Sequence, residues 1–148
     1  MRWLLDTNVV SETVQARPDR AVAAWIGRQP DELTAISMVT LAELRGGASS
    51  NADERQRSEL THWLDVSVMS WFGERILPVT LEILVDWLEI GHRLARQGMT
   101  RSSADLLIAS TARVHDLIIV SRNVRDFAGT GVVVYDPWNG ETHRMELV

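Results

Sequence analysis

Leu117-Ile118-Ile119-Val120, the apolar run that opens LIIVSRNVRDF at 117–127, decides how this chain folds. Four consecutive large apolar side chains, three of them β-branched, end abruptly on a polar segment. That pattern reads as a strand buried on both faces, not as the in-out alternation of a half-exposed one. Such a strand belongs in a parallel sheet with helices on either side. Residues 3–5, 33–36, 76–79 and 132–135 are short apolar runs of the same kind, which makes five candidate strands. Helical patterns fill the intervals at 9–13, 19–28, 38–48, 53–72, 81–97 and 104–115. The alternation predicts a three-layer α/β/α sandwich around a central, mainly parallel five-stranded sheet joined by right-handed crossovers. Ligands in this class sit at the carboxyl ends of the strands.

Breaks fall at 17–19, 46–51 and 97–103, all too short to be linkers. Residues 1–148 therefore read as a single domain, with 136–148 as a surface-hugging tail. No apolar stretch reaches the ~20 residues of a membrane span, and the N-terminus lacks the pattern of a secretory signal. A cytoplasmic protein is expected. The absence of cysteine excludes disulfides, thiolate catalysis and cysteine zinc sites. His62, His92, His115 and His143 show no paired ligand spacing, so a histidine zinc site does not fit. Net charge is −5, with 15 arginines and no lysine. That balance argues against binding nucleic acid through a broad basic face.

The acids fall where ligands are expected. Asp6 follows the first strand in LLDTNVV, Glu43 lies in the helix after the second, Asp105 opens the helix of SSADLLIASTA, and Asn123 and Asp126 follow LIIV. Capping explains some of this singly. Ser102 with Asp105, and Thr40 with Glu43, have capping-box spacing, and Asn8 and Asn123 suit N-caps. Capping does not explain why acids far apart in sequence share one sheet edge. Magnesium or manganese does, because hard cations take carboxylate oxygens and substrate phosphates without histidine or cysteine. Arg45, Arg122 and Arg125 lie near these acids and are candidate contacts to a nucleic-acid phosphate.

The segments LLDTNVVSE, ISMVTLAELRGG, SSADLLIASTA and VSRNVRDFAGTGVVVYDPW, in that order, resemble the motifs of the PIN-domain family, and within it the VapC-type toxins of bacterial toxin–antitoxin modules. The resemblance implies a PIN-like fold and a magnesium- or manganese-dependent endoribonuclease that hydrolyses RNA with a metal-activated water. It places Asp6, Glu43 and Asp105 around the metal, with Asp126 assisting and Asn123 as a polar contributor. Asn8, Ser37 and Ser121 match positions that orient the carboxylates. Ser121 stands where threonine is common, and TRSS before Asp105 departs from the proline-containing stretch often found there. The implied partners are an RNA substrate, a cognate VapB-type antitoxin and a second copy of the chain, assembled as a homodimer and a toxin–antitoxin hetero-oligomer. Two apolar helical faces suit such partners: Leu60, Trp63 and Leu64, and Ile83, Trp87, Ile90 and Leu94.

Other classes compete. A catalytically silent PIN-like binding module would be favoured by loss of an acid, and a nuclease acting on DNA would use the same carboxylates. A phosphorylated-aspartate domain fits poorly, since DTN lacks the second aspartate of DxD and no lysine exists to hold the phosphate.

Overall fold

Leu4 and Leu5 are neighbours in β1 (Trp3–Leu5), point to opposite faces of the sheet and are both fully buried. Helices must therefore cover the strand on both sides. A computed structural model of residues 1–148 shows that arrangement. β1 lies between β2 (Thr34–Ser37) and β4 (Ile118–Val120), parallel to both, with Leu4 opposite Ala35 and Ile119. β3 (Ile76–Leu77) extends the sheet beyond β2, and β5 (Val133–Asp136) extends it beyond β4, again in parallel.

The expected α/β/α sandwich is present with one strand more than the five read from the sequence. Glu141–Arg144 forms β6, antiparallel to β5, and the sheet order is β3-β2-β1-β4-β5-β6. The supposed surface tail is thus partly an edge strand. Its polar sequence hid it, because only His143 in it is even half-buried.

The two faces of the sheet carry separate cores. Leu5, Ile36 and Val120 pack with Val9 and Val10 of α1 (Thr7–Glu12), Val22 and Trp25 of α2 (Arg20–Arg28), and Leu44 of α3 (Met38–Ser49). Leu4, Ala35, Ile119 and Val134 pack with Ile108, Ala109 and Ala112 of α7 (Ser103–Val114). Each fully buried Leu or Ile of this kind stabilises the fold by about 1.5–3 kcal/mol.

The helix expected over 53–72 is interrupted. α4 (Glu54–Trp63) passes through a π turn at Leu64–Val68 into α5 (Met69–Phe72). Leu64, Val68 and Phe72 are all buried. Their four-residue spacing drifts by about 40° per step on an α-helix, and the wider turn takes that drift back. In α6 (Leu81–Arg96) the face expected to meet a partner is in the core instead. Ile83, Ile90 and Leu94 are buried and Trp87 is half-buried, with Ile90 and Leu94 packed on Leu106 of α7. The opposite stripe, Leu81, Leu84, Val85 and Leu88, is exposed. Leu60 and Trp63 of the other proposed face are half-buried against the core, and Leu64 is buried.

Candidate active site at the carboxyl edge of the sheet

The middle three strands, β2, β1 and β4, run parallel, so the residues that follow them emerge at one edge. Asp6 leaves β1 in extended conformation (φ −75°, ψ 162°) and caps α1, its Oδ1 accepting the Thr7 N–H at 2.8 Å. Its other oxygen, Oδ2, accepts from the Ser121 hydroxyl at 2.6 Å and from Asn8 Nδ2 at 3.1 Å. Asn8 Nδ2 also donates to Ser121 Oγ at 3.0 Å, while Asn8 Oδ1 accepts the Arg122 N–H at 3.2 Å and Ser121 Oγ accepts the Asn123 N–H at 3.0 Å. Every side-chain polar atom of Asn8 and Ser121 is therefore used to bind the end of β4 to the end of β1 and to fix the carboxylate between them.

Asp6 is only 5% exposed. Burial pushes its carboxyl up to about 6, against the hydrogen bonds from Ser121 and the Thr7 N–H, and the nearby charges of Asp105 and Glu43 push it further the same way. Asp105, half-buried in the first turn of α7, is also raised by burial. The Ser102 hydroxyl opposes that shift, the charge of Asp126 adds to it and Arg101 opposes it. Ser102 caps α7: its Oγ accepts the Asp105 N–H at 3.0 Å and donates to Asp105 Oδ2 at 2.6 Å. Glu43 is exposed on α3, where its Oε1 accepts from the Thr7 hydroxyl at 2.8 Å. Asp126 is exposed in the 3-10 turn Val124–Phe127. Asp6, Glu43, Asp105 and Asp126 thus share one electrostatic neighbourhood, with Asp6 at its floor.

Several side chains stand elsewhere than the sequence suggested. Ser37 Oγ accepts the Val39 N–H at 3.1 Å and caps α3; it orients the helix that carries Glu43 and bonds no carboxylate. Thr40 is inside α3, its buried hydroxyl unpartnered, so Thr40 and Glu43 form no capping box. Asn8 lies within α1, which Asp6 caps, and Asn123 precedes its turn without a side-chain cap. Arg45 is ion-paired with Asp65 and turned to that contact. Arg122 stacks over Trp138, and Arg125 is exposed. Thr7 and Arg101 escaped the sequence reading. A threonine inside DTN and an arginine four residues before Asp105 were visible, yet neither residue type signals a carboxylate site by itself.

The donor set tests well against a hard divalent cation. All the side chains gathered here offer oxygen, and the buried carboxylate carries a charge that its surroundings disfavour. No three carboxylates or imidazoles converge closely enough to enclose an ion alone. Magnesium and manganese do not require such an enclosure, because they take one or two carboxylates and keep several waters.

A parallel α/β sandwich with a carboxylate cluster across the ends of its three central strands defines a class of acid-site α/β domains. The PIN domain family matches residues 3–132, and the chain belongs to that family. It is 33% identical over 135 residues to VapC ribonuclease Y4jK of Sinorhizobium fredii, a match covering 91% of this chain and 96% of the relative. Toxin FitB of Neisseria gonorrhoeae is 32% identical over 136 residues, covering 92% and 98%. In three dimensions the chain superposes on the crystal structure of FitAcB from Neisseria gonorrhoeae with a TM-score of 0.86 at 32% identity, over 92% of this chain and 98% of that one. The VapC-type resemblance read from the four motifs is therefore supported along nearly the whole chain.

Proposed function

We propose that the protein is a magnesium- or manganese-dependent endoribonuclease and the toxin of a VapBC-type toxin–antitoxin module, folded as one domain. The observation that carries this reading is Asp6, buried and locked by Ser121, Asn8 and the Thr7 N–H while Asp105 and Glu43 load the same place with negative charge. Its relatives in the PIN-domain family include a VapC ribonuclease and a toxin.

Asp6, Glu43 and Asp105 hold the cation in this proposal, and Asp126 assists from the turn after β4. When bound, the cation supplies an activated water and offsets the charge that develops on the phosphate. The chain's own residues supply placement. Ser121 and Asn8 fix the Asp6 carboxylate, Thr7 holds Glu43, Ser102 holds Asp105, and Ser37 anchors the helix under Glu43. Asn123 is a polar contributor at the rim. The chain has no cysteine, and the Ser121 and Thr7 hydroxyls at the site both donate to carboxylates, so the scheme uses no enzyme nucleophile.

A cognate VapB-type antitoxin silences the toxin, and two copies form a homodimer through the exposed stripe of α6. Cleavage of total cellular RNA by purified, antitoxin-free protein tests the reading. Discrete cuts should appear with magnesium or manganese and vanish with EDTA or in Asp6→Asn. A folded, metal-supplied chain that cuts DNA and leaves RNA intact would move the substrate to DNA, and one that cuts neither would make it a silent binding module.

A further inference from the structure

Arg122 is the one residue of the site rim that is pinned at its backbone and stacked at its tip. Its N–H donates to Asn8 Oδ1 at 3.2 Å, and Asn8 in turn donates to Asp6 Oδ2 at 3.1 Å. The preceding residue is Ser121, whose hydroxyl bonds Asp6 directly. Arg122 is therefore fixed one residue away from the partner of the buried acid. Its guanidinium carbon lies 4.7 Å from the centroid of the Trp138 ring. Trp138 is itself held, because its backbone N–H donates to Asp136 Oδ1 at 2.9 Å and its half-buried side chain packs against the core.

The guanidinium is also uncommitted. Arg45, Arg55, Arg93 and Arg113 are taken up by Asp65, Glu59, Glu89 and Asp86 respectively, whereas Arg122 is exposed, joins no ion pair and donates no side-chain hydrogen bond within the chain. An arginine held over an aromatic ring has part of its rotamer freedom already spent, and an exposed guanidinium still offers a plane to a nucleobase and a fork of N–H groups to a phosphate. The net charge of −5 leaves little long-range attraction for RNA, so a local, preorganised contact matters more here than on a basic protein.

We infer that Arg122, supported by Trp138, is a positioning residue for the RNA strand beside Asp6, stacking on one unpaired base and holding an adjacent phosphate. This deepens the ribonuclease reading and rests on it. Bases in a duplex are stacked on one another and have no free face to offer, whereas the bases of single strands stack readily on guanidinium and aromatic planes.

The test uses the full chain carrying Asp105→Asn, which binds without cutting, in magnesium at several salt concentrations. Anisotropy of a fluorescein-labelled 12-nucleotide single-stranded RNA of mixed sequence, and of its duplex, reads affinity. Arg122→Gln should weaken single-strand binding about tenfold, the scale of one lost stacking contact. It should also flatten the slope of log affinity against log salt by about 0.7, one phosphate contact. Arg122→Lys should keep the salt slope and lose most of the affinity, because charge without a plane does not stack. Duplex affinity should change less than twofold, and the melting temperature of each variant should match its parent, since the side chain is exposed. Unchanged single-strand affinity and slope in Arg122→Gln would overturn the inference alone, as would an equal loss for duplex and single strand. No RNA binding by the parent, together with no RNA cleavage by the unmutated chain, would overturn the ribonuclease reading itself.

Discussion

Asp6 carries most of the physics of the site, because it pairs deep burial with neighbours of its own sign. Its carboxyl titrates near 6 in the folded chain against 3.8 as its ordinary value. Below the lower value both states hold the proton, and the group imposes no penalty. Between roughly pH 4 and pH 6 the native state holds the proton more tightly, so stability from this group falls as pH rises and stays low above it. The rise from 3.8 to about 6 corresponds to about 3 kcal/mol. Asp6→Asn should therefore gain stability relative to the unmutated chain as pH rises from 4 to 7.5 without divalent ions, by up to that amount. Thermal melts across the range check this, and parallel curves would contradict it. Ser121→Ala should act in the opposite sense. It leaves Asp6 Oδ2, Asn8 Nδ2 and the Asn123 N–H short of a partner, at about 1–3 kcal/mol in stability, and should raise the Asp6 titration further, read by NMR of the carboxyl carbon. The acids themselves were legible in the sequence because each follows a strand or opens a helix. What their neighbours do was not, since capping or ligation depends on which side chain lies across the sheet. The family resemblance did point to Asn8 and Ser121 as groups that orient the carboxylates, and both bond Asp6, but nothing in the sequence pairs Arg45 with Asp65 or turns Ser37 to the Val39 N–H.

At the scale of elements, the strands that are buried on both faces announce themselves through paired apolar residues such as Leu4-Leu5 and Ile119-Val120. β6 could not be found that way, because an edge strand on a hairpin needs no apolar face. Its signal is the turn: Asn139-Gly140 joins β5 to β6, Gly140 has φ +77°, and its N–H returns to the Asp136 carbonyl at 2.8 Å. The π turn at Leu64–Val68 left no comparable mark, since its cause is the fit of Leu64, Val68 and Phe72 to a surface that exists only after folding. Two element-scale predictions follow from termini that can be seen. Ser102→Ala removes the cap of α7 and should cost about 1 kcal/mol, while releasing Asp105 from the hydroxyl that opposes its upward shift. Denaturant titration reads the first effect, and an unchanged midpoint would show that the cap contributes nothing. Gly129, in the turn that leads into β5, has φ +87°, and a Cβ there would lie 2.7 Å from Leu94 Cδ2. Gly129→Ala should destabilise by about 1–3 kcal/mol from strained backbone and overpacking together. A neutral midpoint would mean that Leu94 yields more readily than a core side chain should.

For the whole molecule the telling feature is the face that folding leaves uncovered. α6 buries Ile83, Ile90 and Leu94 against α7, yet Leu81, Leu84, Val85 and Leu88 on its other side are 77%, 38%, 56% and 51% exposed. The spacing 81, 84, 85, 88 is that of a helix seam, so the stripe is built to pack against another helix. The stripe's own pattern suits a second copy of the chain. The charged residues of α6, Glu82, Asp86 and Glu89 and then Arg93 and Arg96, are not part of this stripe. Two copies packed antiparallel about the middle of the stripe set Leu81 and Leu84 of each helix against Leu88 and Val85 of its partner, so the stripe is complementary to itself. The acidic edge, with Asp6 after β1 and Asp105 at the start of α7, is separate from this stripe, so pairing leaves the site's own residues unchanged. Leu84→Glu with Leu88→Glu should therefore convert a dimer to a folded monomer with its circular dichroism intact and its melting temperature lowered only by the lost linkage to assembly. Light scattering behind a sizing column distinguishes the species. A doubly substituted chain that still runs as a dimer would place the second copy on another face and leave the stripe to the antitoxin.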